Sequence, residues 1–390
     1  MISLMDSPGR PSVRICMPTT RSISREAYQC GLYEAQDVLA ETDDVDLIDL
    51  QSGPGFRSRE RWQRRLLVQG MSLNLASMNP GLRKVRVTQD YDLFIAVCQN
   101  LWDLLHLNAI EGWQERCKIS VCWLGEIWAS DIAVCPALVH RLRRFDHVFV
   151  NSQETVVPLS DFLKRQCHLL PLGIDTVRFS PFPNPPDRPI DVYSIGRRWE
   201  GVHRALLGAT SRRELFYIYD SYEEMASMEP IDCKQHRDLF ANMAKRSKYF
   251  LVAPGKMNRP EETGGQVEIG HRYFEGAAAG AVMIGQAAHS EALRELFPWP
   301  DAVVEIEPDG SDCLRVLADL DSNPARVSAV SRKNAAESLL RHDWIHRWKE
   351  IFQHCGIEPS PGMAARERHL KGLADAALYA PEARTVPRVG

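Results

Sequence analysis

The feature that most constrains this chain is an alternation that runs, breaks at a cluster of prolines, and starts again. Residues 13–17, 45–50, 91–97, 119–123, 147–150 and 168–172 are short apolar runs, many rich in Val, Ile and Leu, of the kind that form strands buried on both faces. Between them, residues 24–40, 58–76, 101–115 and 155–165 carry helical spacing. Strand alternating with helix implies a parallel sheet covered on both faces. Residues 179–189 then hold prolines at 181, 183, 185, 186 and 189, a density that neither a helix nor a central strand accepts. Beyond it the alternation resumes at 192–195, 215–219, 249–253, 281–284 and 303–306. The expected fold class is therefore α/β, with two similar layered halves flanking one hinge and a ligand site expected between them. The expected division is 1–180 for the first domain, 181–190 for the linker, 191–355 for the second domain and 356–390 for a tail. Residues 323–353 read as helical, and the tail reads as a docked helix with a frayed end.

Composition narrows the function classes. With 47 Lys and Arg against 51 Asp and Glu, the formal charge of -4 supplies no global basic field, so a nucleic-acid partner is not expected. No run approaches the roughly 18–20 apolar residues that cross a bilayer, residues 277–285 coming nearest. Asp6, Pro8 and Gly9 stand where a secretory signal would place its apolar stretch, and the ten cysteines include no CxxC pair. Both point to reduced thiols in the cytoplasm.

The most informative segment is 264–280, from Gly264-Gly265 through Gly270-His271-Arg272-Tyr273-Phe274-Glu275, followed by an apolar strand. Glycines at 264, 265 and 270 let backbone approach a ligand, and a helix starting near Gly270 aims amide groups and its positive dipole end at an anion. Arg272 adds a cation, and Glu275, one turn on, is placed to accept hydrogen bonds from sugar hydroxyls. A diphosphate carrying a sugar is the ligand this chemistry suits; the plainer alternative is a loop and a helix whose early Glu complements the dipole.

The same segment, with its Arg272-x-Phe274-Glu275 core, resembles the carboxyl half of group 1 glycosyltransferases, especially the spore-coat branch. Pro171-Leu172-Gly173-Ile174-Asp175 followed by Phe179-Ser180-Pro181 is similar to the interdomain stretch of that family, and Gly196-Arg197 to the pair that opens its donor domain. Arg341-His342-Asp343-Trp344-Ile345-His346-Arg347-Trp348 resembles its late helix, so the likeness covers roughly 147–352. It implies a GT-B fold of two facing Rossmann-like domains with an interdomain cleft, and sugar transfer from a nucleotide-diphosphate sugar, the donor held mainly by the second half and the acceptor mainly by the first. Arg197, Arg272 and Glu275 are then the candidate catalytic residues. Gly173, Gly196, Arg198, Gly265, Gly270, His271, Tyr273, Glu126 and Trp128 are the candidate substrate contacts. No metal and no obligatory cofactor is expected. A nucleotide-sugar epimerase, or a non-catalytic nucleotide- or carbohydrate-binding protein, remains the alternative.

The departures from the family pattern are specific. Its retaining members carry two Glu residues with seven between; with Glu275 as the second, Val267 takes the first position and Glu268 is one residue off. Pro18-Thr19-Thr20-Arg21-Ser22 stands where a Gly-Gly loop is common, and the Lys that usually follows Gly-Arg is absent, leaving Arg198 or Arg204 to supply that charge. For an inverting reaction, Asp131, Glu126 and His106 are candidates for the base by location alone. Trp123 and Trp128 offer either acceptor stacking or core packing. His342-Asp343-x-x-His346 resembles a zinc-protease motif but has Asp for the Glu base and no third ligand, and the Arg-rich 57–65 stretch reads as a solvated helix face.

Overall fold

The computed structural model describes residues 13–70, 73–221 and 229–379; residues 1–10, with the signal-peptide reading, and the end of the tail lie outside them. The first sheet contains β1 (Arg14–Thr19), β2 (Asp44–Asp49), β4 (Tyr91–Cys98), β6 (Cys117–Leu124), β7 (His147–Val150) and β8 (His168–Leu169) in the order β2-β1-β4-β6-β7-β8. A separate pair, β3 (Val85–Arg86) and β5 (Ile110–Glu111), lies outside it. The second sheet orders β9 (Ile190–Ser194), β10 (Tyr217–Tyr219), β11 (Ser247–Val252), β12 (Val282–Gly285) and β13 (Val303–Glu305) as β10-β9-β11-β12-β13. Every pairing in both sheets is parallel. This follows from the sequence, since a parallel strand needs a crossover, and the helix-spaced stretches supply it.

Strand order reverses between β1 and β4 in the first sheet and between β9 and β11 in the second. Such reversals leave a crevice beyond the carboxyl ends of the strands, where α/β sheets take their ligands. The Gly196-Arg197 pair follows β9 and so falls at the second switch point.

Three stretches differ from the sequence expectation. Residues 101–115 form a 3-10 helix, Leu101–Ala109, then β5, because an Asn100–Asp103 capping box starts a tight turn and Gly112 adopts a φ of 81° that ends the run. Residues 58–76 give a helix over Phe56–Val68 and a short one over Leu73–Ala76. Residues 323–353 split into Pro324–Arg341 and Trp344–His354, since the Asp343 carboxylate caps the second by accepting from the Ile345 amide.

The helix Pro361–Tyr379 docks through Met363, Leu370, Ala374 and Ala377. Together with Trp344–His354 it reaches back onto the first half, covering the helix Cys30–Thr42. The Trp348 indole donates to the Ala35 carbonyl at 2.9 Å, and the Ile174–Asp343 bridge fastens the crossing. One apolar core therefore runs through both halves, from Ile15 to Ala377.

Candidate active site

The helix His271–Ala278 starts at Gly270 without a side-chain cap, and its first turn holds no acidic residue. Arg272 turns its guanidinium toward the second switch point, where Nε donates to the Ile195 carbonyl at 3.0 Å. This bond sets the amino end of that helix beside the Gly196-Arg197 turn, where Gly196 has a φ of 80° and its amide donates to Asp220. Arg197 itself is exposed and has no hydrogen-bond or ion-pair partner among the described residues. Arg198 is engaged, donating to the Asp220 carboxylate and carbonyl and lying 5.4 Å from the Tyr219 ring centre. Arg204 points to solvent beside Glu200.

Glu275 is 1% exposed, and its two oxygens are taken by Arg237 and Arg272. Burial pushes its carboxyl up, but Arg272 and then Arg237 pull harder and bring it to about 2. In this arrangement it holds Arg272 in place and has no oxygen turned to a sugar. Sequence reasoning missed Arg237, a buried side chain on the helix Cys233–Lys245 whose Nε donates to Glu34 of the first half at 2.9 Å. Glu34 in turn accepts from the Asp175 amide at 2.8 Å and the Trp344 indole at 3.1 Å. The only sequence signal for Arg237 was its place three and seven residues before the buried Phe240 and Ala244, on the inward face of an amphipathic helix.

His271 stands between the halves. Burial first, then Arg237 and Arg272, lower it to about 4, so the imidazole is neutral at pH 7. Its Nε2 has no hydrogen-bond partner among the described residues and lies 3.1 Å from the point where a side chain at Gly31 would begin.

Other predicted contacts have structural duties. A Cβ at Gly173 would come 2.6 Å from the Trp344 ring, so packing explains that glycine, and Tyr273 is fully buried with its hydroxyl donating to the Gln286 carbonyl. Gly264 and Gly265 have φ of 63° and 85° and end the short Pro260–Thr263 turn against Ser130 of the first half, while Gly270 has room around it. Glu126 pairs with Lys256 across the halves at 2.6 Å and accepts from the Trp128 indole. Asp131 accepts from the Trp128 amide, and His106 is bonded to Glu60 at 2.8 Å. Trp123 packs between Trp344 and Trp348, which makes it core. His342 is likewise buried among Phe274, Phe297 and Trp299.

Glu268 faces away from the Arg272 side, bonded to Ser152 of the first half, where Gln266 also donates to the Ser152 hydroxyl at 3.1 Å. Burial raises its carboxyl to about 7, with Glu154 adding to the effect and the bonds to Ser152 and Gln266 opposing it. Because the folded protein keeps this proton while the unfolded chain releases it near 4.5, stability should fall as pH rises from about 4.5 through about 7. In urea titrations at a series of pH values, wild type is expected to lose stability over that window relative to Glu268→Gln. A difference independent of pH would contradict the assignment.

Residues 190–353 match the family model described as glycosyl transferase-like. No curated protein matches the chain. Among solved structures, an alpha-glucosyltransferase in complex with UDP-glucose and DNA containing an abasic site is similar at 13% identity and a TM-score of 0.51, over 89% of this chain and 100% of that one. Anabaena HepE in complex with UDP-glucose is similar at 13% identity and a TM-score of 0.50, over 88% and 99%. The N-terminal domain of Candida albicans trehalose-6-phosphate phosphatase is similar at 9% identity and a TM-score of 0.52, over 90% and 99%. These likenesses show the fold, the two-lobed GT-B arrangement. A glycosyl transferase-like second lobe on that frame defines the class: the chain is a glycosyltransferase. No helix among the described residues is long and apolar enough to cross a membrane.

Proposed function

We propose that this chain moves a sugar from a nucleotide-diphosphate sugar, held by the second lobe, to an acceptor seated against the first. The observation that carries the reading is the Arg272–Ile195 bond, which brings an uncapped helix start and Arg197, unpaired among the described residues, to one switch point. As the sugar becomes oxocarbenium-like, negative charge grows on the departing diphosphate. Arg197, Arg272 and the amides of Gly270 and His271 would stabilise that charge, and Glu275 with Arg237 fixes Arg272 in its rotamer. The positive charge the step needs comes from the chain's own guanidiniums, so the reading calls for no resident metal. Glu126, Trp128 and the acceptor lie across the lobe boundary.

The Arg272-x-Phe274-Glu275 core supports assignment to the spore-coat branch of the group 1 enzymes, and ten free cysteines support a reducing, cytoplasmic setting. Two domains divided at 181–190 agree with one sheet ending at β8 and the other beginning at β9. Incubation with a panel of nucleotide-diphosphate sugars should release nucleotide slowly from one of them, water standing in for the acceptor. Tight binding of a donor that stays intact even with candidate acceptors would instead favour a binding protein, the reading that the displaced Glu268 supports.

A further inference from the structure

Two thiols meet across the lobe boundary. Cys30 opens the helix Cys30–Thr42 of the first lobe, Cys233 opens the helix Cys233–Lys245 of the second, and the two helices pack against each other. Both line a crevice of about 400 Å³ whose walls also include Arg21, Ser22, Glu34 and Arg237. Cys30 is 1% exposed, whereas Cys233 is half-buried and open to that space.

We infer that Cys30 and Cys233 form a reversible disulfide when the protein meets a hydroperoxide, tying one lobe to the other at the crevice wall. The two thiols are not equivalent. Cys233 is the one open to the crevice; the neighbouring Cys30 thiol draws it below its ordinary value, burial and Asp232 oppose, and Arg21 and Arg25 add to the lowering. The neighbouring Cys233 thiol and burial push Cys30 up. Cys233 is therefore the attacking sulfur and Cys30 the resolving one. The Cys233 thiolate attacks one peroxide oxygen, the O–O bond breaks, and an alkoxide or hydroxide leaves and takes up a proton. Cys30 then attacks the sulfenic sulfur, the S–O bond breaks, and water departs with the Cys30 proton. Two thiols and one hydroperoxide give one disulfide, one alcohol or water, and one further water, a two-electron balance.

Cys16, Cys98, Cys117 and Cys122 all lie inside the first lobe, so linking any two of them would pin nothing. A bond at Cys30–Cys233 opposes any separation of the lobes at the crevice; its effect on turnover rests on the proposed transferase reading, while its formation does not.

The test treats the full chain with hydrogen peroxide and maps it without reduction. Tryptic peptides 26–57 and 214–234 each hold one cysteine, Cys30 and Cys233. They should appear joined, two hydrogens lighter than their sum, with two thiols lost and both recovered with dithiothreitol. Nucleotide release from the accepted donor should drop at least about tenfold on oxidation and return on reduction. Cys233→Ser should form no link and keep its turnover under peroxide, while Cys30→Ala should also form no link but gain oxygen at Cys233, each serving as a check if the other folds poorly. In the wild-type chain, over-oxidation of Cys233 without a link, or preferential joining of Cys16 to Cys117, would overturn the inference. A joined pair with no donor turned over before oxidation would uphold the disulfide and count against the transferase reading.

Discussion

Arg237→Ala is expected to cost about 3–5 kcal/mol of folding free energy, the largest single effect foreseen for this chain. The guanidinium is 4% exposed and stands between the carboxylates of Glu34 and Glu275, both 1% exposed, with the Phe179 and Phe240 rings 4.8 and 5.4 Å from its centre. Burial works against its charge, but Glu34 and Glu275 hold it protonated well above the ordinary arginine range. Removing it leaves two nearly buried acids without their shared cation, and Glu275 keeps only Arg272. Urea unfolding at pH 7 measures the loss. Adding Glu34→Gln and Glu275→Gln to an Arg237→Met background should return much of it, because a neutral site of similar volume carries no orphaned charge. A single variant within about 0.5 kcal/mol of wild type would show that the network does not join the lobes energetically.

Arg197→Ala is expected to do the opposite, leaving stability alone and slowing catalysis. Its side chain is exposed and unpartnered among the described residues, so the folded state gains little from it. If it meets the leaving diphosphate, its loss raises the barrier by about 2–4 kcal/mol, roughly 30-fold to 1000-fold in kcat. Nucleotide release under saturating donor, with a melting curve of the same preparation, separates the two effects. An unchanged kcat would remove Arg197 from the proposed mechanism. Lys at this position should recover part of the rate, since it restores the charge without the two-pronged geometry.

The two lobes were legible because their central strands are buried on both faces, and burial on both faces forces runs such as Leu93–Phe94–Ile95–Ala96 whatever the partner strand. Arg272 with Glu275 was legible too, being a pair three residues apart on one helix. What periodicity cannot carry is a contact between distant segments. Arg237 reaches Glu34 across 203 residues, and nothing local in either helix announces the other. The displaced Glu268 shows the same limit: spacing put it one residue from the family position, but only the fold shows it turned to Ser152. Likewise, the break at His342–Asp343 arises because Asp343 also accepts from Thr176 and Arg366, partners that a helical pattern does not include.

The return of the last two helices onto the first lobe has a consequence for how the protein is made. On a ribosome, the helix Cys30–Thr42 emerges long before the side chains that cover it, since the Trp348 indole that closes over Ala35 is 313 residues further on. Its apolar face, with Leu32, Ala35, Val38 and Leu39, stays uncovered by those helices through most of translation. The first lobe thus completes its surface only when the nascent chain is nearly finished, and until then it is a client for whatever holdase the cell supplies.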